Sequence, residues 1–257
     1  MRLDPAPDAR PAATVILLRD RNEGPPDLLL MERASSMVFA PGALVFPGGA
    51  VDPGDAVLAA HMAADLPPDE GAARVAAVRE TLEESGLGIG FPDDFPAERL
   101  IAMRRAMAEG ASFGTLLDAE GVALDLSVLL PFARWHPAAF ERARRAYDTR
   151  FYLTRAPRAQ EALADANETV HLFWSGAAAA LARCDAGEGK VIFPTRRNLE
   201  RLAQYRSFEE AASHAAAIPA TKITPWFEDR EGERHLCIPD DLGYPVTSEL
   251  LARAVRH

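Results

Sequence analysis

The spacing of apolar and polar positions divides this chain into short strands and helices. Residues 13–18 (ATVILL) form a continuous apolar run rich in β-branched side chains, the pattern of a buried strand. A turn over 21–26 (RNEGPP) separates it from 27–33 (DLLLMER), a second strand predicted antiparallel to the first. A third apolar run, Ala43, Leu44 and Val45, leads into Phe46-Pro47-Gly48-Gly49. Residues 50–69 are punctuated by Pro53, Gly54, Pro67 and Pro68 around a short Ala-rich patch. Residues 71–85 then read as a helix, and Gly86, for which positive φ is cheap, stops it.

Two helices are expected within 97–120, carried by Leu100, Ile101 and Met103 and then by Phe113, Leu116 and Leu117. Residues 124–135 return to extended structure, and strands are expected over 144–153 and 169–174. Residues 175–184 are Ala-rich and helical. Thr195 is the expected N-cap of a helix over 196–205. Ser207, with Glu210 three residues on, has capping-box spacing for a helix over 207–217. Residues 223–238 read as strand, turn, strand around Asp229-Arg230-Glu231-Gly232, and the Pro/Ala-rich residues 1–12 as a loose lead-in. Strands and helices interleave without a regular βα alternation, which predicts an α+β fold, and a single domain over 1–257 is expected.

Composition narrows the function classes. With 48% apolar and 26% charged residues in 257, the chain has the make-up of an ordinary globular protein with a sizeable core. A net charge of −10 argues against general nucleic-acid or acidic-membrane binding. An anionic small substrate stays compatible, because a metal and a few arginines reverse the field inside a cleft. Cys184 and Cys237 are too few for a disulfide framework or a thiolate metal site. No apolar run approaches the ~20 residues of a membrane helix, and the N-terminus lacks a signal-like apolar stretch. A cytoplasmic setting is expected.

The stretch with the most chemistry is RETLEESGL, residues 79–87. Glu80, Glu83 and Glu84 stand at i, i+3 and i+4, one face of a helix. Their repulsion costs about 0.2–0.5 kcal/mol per pair even when solvated, and a hard divalent cation with oxygen ligands would offset it. A Glu-rich helix is more often a solvated face. The upstream Pro-Gly-Gly shifts the balance, because there the backbone can turn sharply and bring a carbonyl close to a ligand.

FPGG followed by RETLEESGL resembles the Nudix box of the Nudix hydrolases. Gly49 matches its opening glycine, and Arg79, Glu80, Glu83, Glu84, Gly86 and Leu87 match its second half at the family's spacing. The gap between Gly49 and Arg79 is longer than usual, so residues 50–69 are an insertion, expected beside the active-site cleft. For the acid of the first half, Asp55 has the right spacing from Gly49, while Glu70 lies one residue too far from Arg79. Thr81 stands where an aliphatic is usual.

The resemblance implies an α/β/α sandwich, a mixed sheet between helices, with extra helices and a C-terminal hairpin. It is nearest the coenzyme A and acyl-coenzyme A diphosphatase branch, on LLLMERASSMVFAPGALVFPGG and several later segments. Leu29, Leu30, Arg33 and Ala34 fit the opening of the coenzyme A signature, and Val38 stands near where a second Arg is usual. The implied reaction is Mg²⁺- or Mn²⁺-dependent hydrolysis of a nucleoside diphosphate linked to another group, coenzyme A or acyl-coenzyme A first. ADP-ribose, NADH or a sugar nucleotide are alternatives, as is a non-catalytic nucleotide-binding module. Glu80, Glu83 and Glu84 are the implied metal ligands with the Gly48 carbonyl; Arg79 orients them. Glu80 or Glu168 is the base. Arg33, Phe46, Gly49 and Arg196 are expected to meet substrate. The expected partner is a small nucleotide diphosphate, not nucleic acid or membrane, with a homodimer as a compatible assembly.

Overall fold

In the computed structural model, which describes residues 9–33, 42–137, 146–158, 160–164 and 169–254, apolar alternation sorts the chain into three layers. The first strand, β1 (Arg10–Arg19), sends Ala13, Val15 and Leu17 to one side and Ile16 and Leu18 to the other. Burial on both faces is why its sequence is a continuous apolar run rather than an alternating one. It pairs antiparallel with β2 (Asp27–Arg33) and parallel with β6 (Tyr147–Arg155). The sheet continues through β3 (Ala43–Val45) and β8 (Lys190–Val191) on one side. On the other it runs through β5 (Leu130–Trp135) to β9 (Lys222–Ile223), while β7 (Thr169–Gly176) pairs with β2.

One face is covered by α1 (Pro53–Met62), α2 (Pro68–Ser85), α3 (Ala97–Ala108) and α4 (Phe113–Glu120), whose apolar residues meet Ala13, Val15, Leu17, Leu29 and Tyr152. The other is covered by α5 (Ala177–Asp185), α6 (Phe193–Leu202) and α7 (Phe208–Ala217), which meet Ile16, Leu18, Leu30, Leu44 and Phe46. A mixed sheet between two helical layers is the expected α/β/α sandwich. The C-terminal hairpin, β10 (Trp226–Arg230) and β11 (Glu233–Cys237), gains a third strand, β12 (Ser248–Leu250), so it is a small separate sheet.

Several boundaries differ from the sequence reading. The central helix starts at Pro68, three residues before Gly71, because proline is well tolerated in a first turn. Within the insertion, α1 forms with Asp52 at its N-cap and packs on α2. Thr195 is not the cap of α6; the helix begins at Phe193 with Pro194 in its first turn, and Thr195 is buried inside it. Ser207 does cap α7, accepting from the Glu210 N–H at 3.2 Å.

The site is positioned by a split in the sheet. β1 bonds to β4 (Gly48–Ala50) over Ala12–Thr14, but to β2 only at Leu18 and Arg19. β3 lies on β2 through Met31 and Glu32. The chain therefore crosses from the edge of β2 to the edge of β1 within Phe46-Pro47, and Val15 N–H donates to the Pro47 carbonyl at 2.8 Å in the crossing. Gly48 and Gly49 emerge at the split, under α2.

Candidate active site

Close packing of β4 against the β1 backbone dictates glycine at position 48, and at position 49 a side chain fits only if the Glu80 carboxyl moves. Gly48 has φ of 154°, and a Cβ there would lie 2.3 Å from the Ala13 carbonyl oxygen. A Cβ on Gly49 would lie 2.3–2.5 Å from the Glu80 carboxyl atoms. This contact brings the start of the site against its helix: the Gly48 N–H also donates to Glu84 Oε2 at 2.7 Å. Gly49→Ala is expected to push Glu80 off its partners and to cost about a hundredfold in turnover, the scale of a 1 Å misplacement. Helix and strand content should stay at wild-type level by circular dichroism.

Arg79 is the hub. Its Nε and Nη2 donate to the two oxygens of Asp55, each at 2.9 Å. Nη1 donates to Glu80 Oε1 at 2.9 Å and to Glu83 Oε2 at 3.1 Å, and Nη2 also reaches the Ala50 carbonyl at 3.0 Å. Asp55 is 3% exposed and closes a capping box on α1, accepting from the Asp52 N–H. The choice between Asp55 and Glu70 is thereby made: Glu70 sits in the first turn of α2 with Arg74, Arg150 and Tyr152, far along the helix from Arg79.

The electrostatics follow from burial and charge count. Burial pushes the Glu80 carboxyl up to about 7; Arg79 opposes the shift and Glu83 adds to it. Burial also raises Glu83, again against Arg79. For Arg79, burial disfavours the charge, yet its bonds to Asp55 and the fields of Glu80, Asp55 and Glu83 hold it above its ordinary range. Asp55, Glu80 and Glu83 share a single guanidinium, with Glu84 beside them on the Gly48 N–H, so the carboxylates outnumber the cation. All the cluster's acceptors are hard oxygens, and it lies against a glycine that a side chain would fill. The donor chemistry fits a hard divalent cation. As the side chains stand, no three carboxylates among the described residues converge on one point; Arg79 and the Gly48 N–H hold them instead.

The structure thus brings Gly48, Gly49, Arg79, Glu80, Glu83 and Glu84 together. Arg33 ends β2 at an irregularity in its pairing with β7. Glu168 lies outside the described residues. Two expected substrate residues stand apart. Phe46 is 3% exposed and fills the core on the α5–α7 side; it lies two residues from Leu44, and that parity is the signal that placed its ring inward. Arg196 sits on α6, in the layer opposite α2, paired with Asp185 and Glu200. Arg150, Arg155 and Arg197 are likewise committed to carboxylates. His171 is exposed on β7, opposite Glu32. Arg104 on α3, which no local pattern singles out, donates to the main chain of Glu83 and Glu84.

Comparison with known proteins agrees with this geometry. Residues 8–99 match the profile of the NUDIX domain. The fold is similar to the crystal structure of a NUDIX hydrolase from Alicyclobacillus acidocaldarius, with a TM-score of 0.71 and 30% identity over 80% of this chain and 96% of that one. The chain is also 28% identical, over a 240-residue alignment, to the acyl-coenzyme A diphosphatase NUDT19 of Gallus gallus. That alignment takes in 72% of this chain and 63% of the curated relative's length.

Proposed function

This chain belongs to the Nudix hydrolases, enzymes acting on pyrophosphate bonds, and from that premise we propose that it is a divalent-cation-dependent diphosphatase of coenzyme A or acyl-coenzyme A. The observation that carries the cation dependence is the Arg79 hub, where one buried guanidinium faces more carboxylate charge than it can neutralise. The substrate rests on the 29–34 stretch and on similarity to a relative named for acyl-coenzyme A hydrolysis.

Glu80, Glu83 and Glu84, with the Gly48 carbonyl, are the proposed ligands. A Mg²⁺ or Mn²⁺ ion held there would neutralise the diphosphate and stabilise the charge shifting to the leaving oxygen. The rest falls to the chain's own groups. Arg79 orients Glu80 and Glu83 from one side, and Gly48 anchors Glu84 from the other. Water adds its oxygen to one phosphorus, the P–O–P link breaks, and Glu80 or Glu168 takes the water's proton. Arg33, at the end of the strand beside β3, is the proposed phosphate contact.

The test is a substrate panel with Mg²⁺ or Mn²⁺: coenzyme A, acetyl- and longer acyl-coenzyme A, ADP-ribose, NADH and a sugar nucleotide, with products identified by mass. The expected result is 3′,5′-ADP together with 4′-phosphopantetheine or its acyl form. Turnover of ADP-ribose, NADH or the sugar nucleotide alone would replace the substrate and keep the hydrolase. No turnover by a protein that binds the metal would make it a nucleotide-binding module.

A further inference from the structure

We propose that Arg104, on α3, is a positioning residue for the Glu83–Glu84 turn and thereby sets that turn's affinity for a divalent cation. The inference rests on the reading of Glu80, Glu83 and Glu84 as cation ligands, and it concerns what holds those ligands in place.

The last four carbonyls of any α-helix lack partners within it. In α2 those are the carbonyls of Leu82, Glu83, Glu84 and Ser85, and two of them belong to proposed ligands. Each finds a partner. The Leu82 carbonyl accepts from the Gly86 N–H at 2.9 Å, with Gly86 left-handed at φ 74°. The Ser85 carbonyl accepts from the Leu163 N–H at 2.8 Å. The remaining two are taken by one side chain: Arg104 Nε donates to Glu83 O at 2.8 Å, and Nη2 to Glu84 O at 3.1 Å.

A guanidinium presents its donors in a rigid fork, so two consecutive carbonyls bound by one fork cannot move independently. The last turn of α2 carries no basic residue of its own, and Arg104 supplies the cation that the negative end of a helix favours. A helix end without such partners frays, and the turn that would fray is the one bearing Glu83 and Glu84.

Charge and positioning predict opposite signs. A cation near the carboxylates repels a second cation, so on charge alone removing Arg104 would tighten metal binding. On positioning, removal loosens the ligand turn and weakens it. The experiment is Mn²⁺ binding to the metal-free full chain, followed by the electron paramagnetic resonance of the free ion, for wild type, Arg104→Met, Arg104→Lys and Glu84→Gln. Arg104→Met is expected to raise the Mn²⁺ Kd about tenfold, in the range of supporting-residue effects on metal sites. Arg104→Lys, which keeps the charge and loses the fork, should fall between Arg104→Met and wild type, and Glu84→Gln should bind far more weakly than wild type.

A Kd for Arg104→Met equal to or tighter than wild type overturns the proposal and leaves the carboxylate site standing. A merely structural role would show in this way, as lowered thermal stability with an unmoved Kd. Wild type binding no better than Glu84→Gln overturns the carboxylate reading, and the positioning role with it. If Arg104→Met does not fold, Arg104→Lys decides: a weakened Kd supports the role, and an unchanged Kd overturns it.

Discussion

Glu83→Gln is expected to lower turnover about a hundredfold or more, the scale on which groups at metal and charge-stabilising sites act, while the protein unfolds within a few degrees of wild type. The two halves of this expectation have separate causes. Glu83 is the most open of the three glutamates, its side chain 36% exposed against 16% for Glu80. An amide oxygen can still accept from Arg79 Nη1, so the hub keeps its geometry. What the substitution removes is a negative charge, and charge is what a hard cation needs from this position. Steady-state kinetics across a Mg²⁺ titration, beside a melting curve in EDTA, separates the two. Unchanged turnover would dismiss the metal-site assignment; a large loss of stability would show that Glu83 serves the fold instead.

The second large effect should come from a residue that has no place among the proposed ligands. Asp55→Ala takes both strong bonds from Arg79 and leaves a buried guanidinium with Glu80, Glu83 and the Ala50 carbonyl. Breaking a buried pair from one side costs about 3–5 kcal/mol; with two carboxylates still in reach, about 3 kcal/mol is expected. That corresponds to roughly 6–12 °C in Tm for a chain of this size. Part of the loss comes from the N-terminus of α1, where Asp55 accepts the Asp52 N–H. Turnover should fall as well, because Arg79 is then free to draw Glu80 and Glu83 towards itself. The double variant Asp55→Ala/Arg79→Met, which removes the stranded charge, should recover part of the stability of the single one. Additive losses in that cycle would mean that the pair is not coupled.

Away from the site, a second bidentate pair holds the sheet. Arg134 on β5 donates through Nε and Nη2 to Asp148 on β6, both at 2.8 Å, and Lys222 on β9 reaches the same carboxylate at 2.9 Å. Burial alone would raise Asp148, but Arg134 and Lys222 outweigh it and bring it down to about 2. These ties fasten three neighbouring strands at the end of the sheet remote from β3. They concern stability rather than the chemistry around Gly49.

How much of this was legible beforehand varies with the distance over which each feature is decided. The strand over 13–18 was plain because burial on both faces leaves a continuous apolar record in the chain itself. The helix face of Glu80, Glu83 and Glu84 was plain because helical periodicity is local, and Gly86 marked its end by the conformation it alone adopts cheaply. Gly48 and Gly49 announced a close approach of backbone to something, without saying that the something was Glu80 on one side and β1 on the other. The Ala-rich patch of the insertion marked a short apolar segment without saying that it is a helix, because Pro53 and Gly54 open α1 and Pro67 and Pro68 open the next helix.

The partners of Arg79 could not be chosen from spacing, since Asp55 and Glu70 were both near the expected offset. Packing decided between them: α1 folds back on α2 and delivers Asp55 to the middle of that helix, whereas Glu70 faces β6 at its start. Phe46 and Arg196 were drawn towards substrate by their nearness in sequence to glycines or a helix start, yet a two-sided sheet puts both in the opposite layer. Arg104 carried no signal, because its role is to meet carbonyls twenty residues earlier, and carbonyls are the same in every residue. Which groups have the chemistry can be read from the local periods of strand and helix, because any isolated segment already expresses them. Which of those groups meet follows from the long-range packing of the layers, and that information is spread over the whole chain rather than written at any one position.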